Sequence, residues 1–113
     1  MNHDQFQRVR ENIAEARDHM LTTKWRDYRG VSPDILANFK DIAAELGLTP
    51  MQVLGVYMNK HVKAINKFIR CPDSDNSEPI QGRIIDNMNY LDLLAALIVD
   101  DAIDELAVAT ATK

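Results

Sequence analysis

Apolar residues recur along this chain at steps of three and four, the period of a helix face, and nowhere at steps of two. Four helices follow from that pattern. The first is expected from about Asp4 to Thr22, with Asp4 as its cap and a stripe of Phe6, Val9, Ile13, Ala16 and Met20. Gly30 marks a turn. Ser32-Pro33 then opens a second helix, Ser32 as cap and Pro33 at its first position. Its apolar face is Ile35, Leu36, Phe39, Ile42, Ala43 and Leu46, and Gly47 ends it. Thr49-Pro-Met-Gln52 carries a threonine cap, a proline and a glutamine placed to close a capping box. The third helix runs from there to about Arg70, with Val53, Leu54, Tyr57, Met58, His61, Val62, Ile65 and Ile69 on one face.

The loop Cys71–Ser77 is dense in turn formers. A long last helix is expected from Pro79 to near Val108. Its apolar stripe is Ile80, Ile84, Met88, Leu91, Ala95, Ile98 and Ala102. A second row does not fit a plain amphipathic helix: Arg83, Asp86 and Tyr90 stand in line with Leu93, Leu94 and Leu97. An unpaired charge is costly to bury, so this row demands an ion pair, a metal or a ligand. Short connections between the helices predict an all-α antiparallel four-helix bundle, one domain over residues 1–113, with a long C-terminal helix that packs on a second subunit.

Composition changes this picture in two places. No apolar run approaches the ~20 residues that span a bilayer. The single cysteine, Cys71, excludes an internal disulfide. The start, Met1-Asn-His-Asp-Gln, lacks the basic and then apolar pattern of a signal peptide. A cytoplasmic protein with no membrane partner is expected. Charge is uneven: residues 1–70 hold eleven Lys and Arg against eight acids, whereas residues 71–113 hold two against nine. The net charge of −4 argues against DNA as partner.

Asp27, Tyr28 and Gly30, then Lys60 or Lys63 with Ile65 or Ile69, then Ser77, Glu78, Ile80, Arg83, Asp86, Asn89 and Tyr90 follow one another in a distinctive order. In that order the chain resembles the phage and bacterial nucleotide-modification-associated domain, the first of the domains so named. It also looks, more loosely, like the all-α nucleotide pyrophosphatases of the MazG type. The resemblance implies a host-cytoplasm phage protein that binds or hydrolyses nucleotides. It implies magnesium held by Glu78 and Asp86, the catalytic candidates, with Asp27 added from the loop. A metal-bound water would then attack the nucleotide. Lys60, Lys63 and Lys67 would steady phosphates, with Arg83 and Tyr90 beside them, and Trp25 and Tyr28 would stack a base. The pyrophosphatases carry a Glu-Glu-x-x-Glu cluster that is missing here, and Gly82-Arg83 stands where an acid is expected one turn before Asp86.

A second class fits the same residues: a non-catalytic module that sequesters a nucleotide or docks on a host or phage enzyme. A third is a plain helical interaction protein with the polar row in an interface. Separately, the length and apolar content of the last helix predict a homo-oligomer. His61, on the apolar face of the third helix, is expected to be a satisfied core histidine.

Overall fold

A computed structural model describes the backbone of residues 1–29, 33–74 and 78–111, and the side chains of residues 1–23, 33–74 and 78–100. The fold is an all-α bundle of four helices: α1 (His3–Arg29), α2 (Ala37–Leu46), α3 (Pro50–Arg70) and α4 (Ile80–Ala111).

The helix boundaries follow local chemistry. Asn2, not Asp4, caps α1: its Oδ1 accepts the Gln5 N–H at 2.8 Å, and Gln5 Oε1 accepts the Asn2 N–H in return. This is a reciprocal capping box. The helix then passes Thr22 and runs to Arg29, because Thr23 to Arg29 contains neither glycine nor proline. The expected turn at Gly30 and cap at Ser32 lie outside the described residues. α2 starts four residues later than Pro33. Asp34 Oδ1 accepts the Leu36 N–H at 2.9 Å, a side-chain turn that competes with helix. Gly47 closes α2 in the left-handed conformation (φ 68°), and the Leu48 N–H returns to the Ala43 carbonyl at 2.9 Å. α3 opens on the expected box of Thr49 and Gln52. Pro79 stands just before α4 rather than at its first position, and its carbonyl accepts from Gly82 and Arg83.

The apolar core is Leu36, Phe39, Ala43, Val53, Leu54, Leu93 and Leu97, where α2, α3 and α4 meet. α3 and α4 run antiparallel, since Tyr57 lies beside Tyr90, and His61, one turn further on, beside Arg83 and Asp86. α1 lies along α4 in the same direction. Ile13 meets Ile84 and Ile85, and Arg17 meets Asn89 and Asp92. The radius of gyration is 17.3 Å, against about 13 Å for a compact chain of this length. Long helices projecting past the core account for the excess.

Three expected stripes are only partly buried. Phe6 and Val9 of α1, Leu46 of α2, and Val62 and Ile69 of α3 are exposed. The largest departure is in α4. Ile84, Leu91, Ile98 and Val99 are 38 to 56% exposed, while Arg83, Asp86, Asn89, Leu93 and Leu97 are buried. The apolar stripe of α4 faces out and its mixed row faces in. Two helix surfaces compete for the core here, and Leu93 and Leu97 carry the polar residues of their own row inside with them.

Candidate functional site

Four residues, one on α3, two on α4 and one in the turn before α4, make one chain of polar contacts. Arg83, in the first turn of α4, projects toward α3. Its Nη1 lies 3.5 Å from His61 Nδ1, and its Nε lies 3.6 Å from Glu78 Oε2. His61 Nε2 in turn lies 4.0 Å from Asp86 Oδ2. The order is Glu78, Arg83, His61, Asp86. His61, Arg83 and Asp86 are each less than a tenth exposed, whereas the Glu78 side chain is half exposed.

The protonation of His61 follows from its neighbours. A guanidinium only donates, so His61 Nδ1 must accept, which leaves the N–H on Nε2, the nitrogen nearer Asp86. Burial lowers the His61 pKa, and Arg83 and Lys60 add to this, while Asp86 and Glu78 oppose it. The imidazole is therefore neutral at pH 7 and fills the gap between a buried cation and a buried carboxylate.

Aromatic rings wall the polar chain on the core side. The Tyr90 ring lies 5.3 Å from the His61 ring and stacks on Tyr57 at 6.3 Å. Tyr57 meets the edge of Phe39 at 5.9 Å. The column ties α2 to α3 and α4, so His61 is held by packing as well as by polar contacts. Asn89, one turn beyond Asp86 and 2% exposed, donates through Nδ2 to the Arg17 carbonyl at 3.4 Å. It fixes α1 against the same stretch of α4.

The candidate residues thus divide. Arg83, Asp86 and Tyr90 come together on the inner side of α4, and Glu78, in the half-exposed turn before the helix, reaches Arg83. Lys60, Lys63 and Lys67 are all exposed on α3. The side chains of Trp25, Asp27 and Tyr28 lie outside the described residues. The carboxylates of Glu78 and Asp86 face different partners, with a guanidinium and an imidazole between them in the chain of contacts. A divalent cation bound by both would have Arg83 as its neighbour. Among the described residues no group of three or more His, Cys, Asp or Glu side chains could hold a metal ion.

Two members of the site were not singled out for it by the sequence. His61 reads as a core residue, and its place opposite Arg83 depends on the register of α3 on α4. Asn89 was in the family motif with no role of its own. A second polar cluster was also unforeseen. Lys40 Nζ lies 2.6 Å from Asp34 Oδ2 and 2.8 Å from Asp100 Oδ2. It pins the turn before α2 to the far half of α4. The hydrogen bonds to Asp100 and Asp34 push the Lys40 pKa up, and that to Lys40 pulls the Asp34 pKa down.

No family model matches this chain, and neither the curated proteins nor the solved structures contain a match to it.

Proposed function

We propose that this chain is a non-catalytic helical binding module for a nucleotide or a similar phosphorylated anion. The observation that carries this reading is the contact chain Glu78–Arg83–His61–Asp86. Both carboxylates that a magnesium-dependent hydrolase needs are engaged within the bundle, and Arg83 would repel a cation placed between them. The polar row then serves as scaffold: it holds α3 on α4. Ligand recognition falls to the exposed cations of α3. Lys60, Lys63 and Lys67 follow at helical steps, and Arg70 extends the line. Exposed ammonium groups bind phosphate as point charges, with an affinity that falls as salt rises.

The test is a thermal-shift screen of a nucleoside mono-, di- and triphosphate panel, with and without magnesium, with product analysis for each hit. The expected result is stabilisation that needs no metal, leaves the nucleotide intact, and disappears in Lys63→Glu/Lys67→Glu. Release of pyrophosphate only with magnesium, lost in a folded Asp86→Ala variant, would overturn the reading in favour of hydrolysis. No shift with any nucleotide would overturn it in favour of a protein ligand.

A further inference from the structure

α3 carries no acid between Pro50 and Arg70, and its cations share one strip. At about 100° per residue, Lys60, Lys63, Lys67 and Arg70 fall within an arc of roughly 80°, on the side of α3 turned away from His61. All four are exposed. Among the described residues only α2 and α4 pack on α3, so no further helix covers the strip. Two more strips run beside it. Val62 and Ile69 stand about 90° from His61, and Asn59 and Asn66 fall between them and the cations. Val62 is 38% and Ile69 70% exposed, and both asparagines are exposed. The open side of α3 is therefore cationic along one edge, amide in the middle and apolar along the other.

Resting on the phosphate-binding reading of these cations, we infer that this side of α3 binds a single-stranded nucleic acid, its phosphates on the cationic strip and its bases turned to Val62 and Ile69. Length is the first reason. Lys60 to Arg70 covers about 15 Å of helix. A stacked strand carries a phosphate about every 3.4 Å, so the row is level with roughly four of them. A single nucleotide gathers its phosphates at one point and leaves part of the row idle. The chemistry across the helix is the second, independent reason. A single strand leaves its bases open beside the backbone, and apolar side chains there take them out of water. Asparagine amides donate and accept, as base edges do. A duplex turns its bases inward, and a plain phosphate chain has none. The apolar edge has no use against either.

The net charge of −4 acts elsewhere on the molecule. α3 and α4 are antiparallel with His61 beside Arg83, so Lys67 lies level with the start of α4. Asp92 and Asp100 then lie roughly 20 and 30 Å away along α4. Charges more than about 10 Å apart are largely screened at 0.1 M salt. Of the nearer acids, Asp86 is buried and Glu78 is held by Arg83. Asp73, exposed in the turn after α3, marks the end of the strip.

The experiment is fluorescence anisotropy of a labelled thymidylate dodecamer titrated with the full chain. Binding is expected, with log K falling against log salt at a slope of about −2.8, four cations at about 0.7 each, so that a fourfold rise in salt weakens it roughly fifty-fold. Lys63→Glu/Lys67→Glu should abolish binding at unchanged helical circular dichroism. Arg8→Glu/Arg10→Glu, the same charge change on exposed residues of α1, should leave it nearly unchanged. Equal losses in the two variants would overturn the strip. Where the α3 variant fails to fold, the wild-type slope decides: one shallower than about −1.4, two cations, overturns the inference. Val62→Ser/Ile69→Ser should weaken the dodecamer several-fold and leave inorganic polyphosphate binding as it was. No loss for the dodecamer overturns the assignment of the bases, as does a duplex bound more tightly than the single strand. ATP binding without dodecamer binding overturns the strand and leaves the nucleotide reading standing. Binding of neither overturns both.

Discussion

The two faces of α4 invert the usual order. Its inner face buries Arg83, Asp86 and Asn89 beside Leu93 and Leu97, while its outer face leaves Leu91, Ile98 and Val99 more than half exposed. The inner polar groups are tolerated because each has a partner: Arg83 has His61 and Glu78, Asp86 has His61, and Asn89 has a backbone carbonyl. Leu91 and Ile98 on the outer face stay more than half exposed. Burial here tracks the availability of partners, not hydrophobicity alone. One helix can thus satisfy a polar surface internally and leave an apolar one exposed.

The most damaging change to the inner face is Asp86→Ala. It strips the carboxylate from a site where a guanidinium and an imidazole stay buried, and should cost roughly 3–5 kcal/mol in a urea melt. An unchanged midpoint would mean that Asp86 does not hold the inner row. Next comes a pair of neighbours on opposite faces. Leu97 is 2% exposed and Ile98 is 55% exposed. Leu97→Ala should cost about 2–4 kcal/mol. Ile98→Ala, on the exposed face, should cost about 0.5 kcal/mol or less. Equal losses would erase the contrast between the faces.

A smaller effect comes from acid. The His61 pKa lies below its ordinary 6.5 in the folded chain, chiefly through burial. As pH falls below that value the unfolded chain takes up the proton first. Stability from this group is complete above about 6.5 and declines as pH falls toward the folded pKa. Denaturation curves between neutral and mildly acid pH should show the decline, and His61→Gln should flatten it. A flat wild-type curve would count against a buried neutral imidazole on the inner face.

Lys40→Met should have the least effect, below about 1 kcal/mol, because all three partners are partly solvated. Its signature is elsewhere. Asp34 has its pKa pulled below 3.8, first by the hydrogen bond from Lys40. The stability it adds is present above that value and is lost as pH falls through the folded pKa. In Lys40→Met this acid-range loss should shrink, as followed by helical circular dichroism in strong acid.

Much of the secondary structure was legible in the chain. Thr49 with Gln52, and Gly47 at a helix end, act through bonds to residues three to five positions away, so sequence neighbours suffice to place them. The starts of α1 and α2 were misplaced for equally local reasons. Asn2 offered a better cap than Asp4, and Asp34 bonded its own turn in place of a helix. Of the site, Arg83, Asp86, Glu78 and Tyr90 were legible as a row that needed partners. The identity of the partner was not. His61 lies 22 residues from Arg83, and only the packing of α3 on α4 brings them together.

The sequence by itself determined that the chain is helical, where α2 and α3 stop, and that α4 carries two competing surfaces. Periodicity and caps are short-range effects, and they act on the chain wherever the helix sits. The tertiary structure alone decided which surface of α4 turned inward. That choice depends on what α2 and α3 present to it: Phe39, Leu54 and Tyr57 for the leucines, and one histidine for the arginine and the aspartate. Periodicity names the faces of a helix, and only its neighbours select between them.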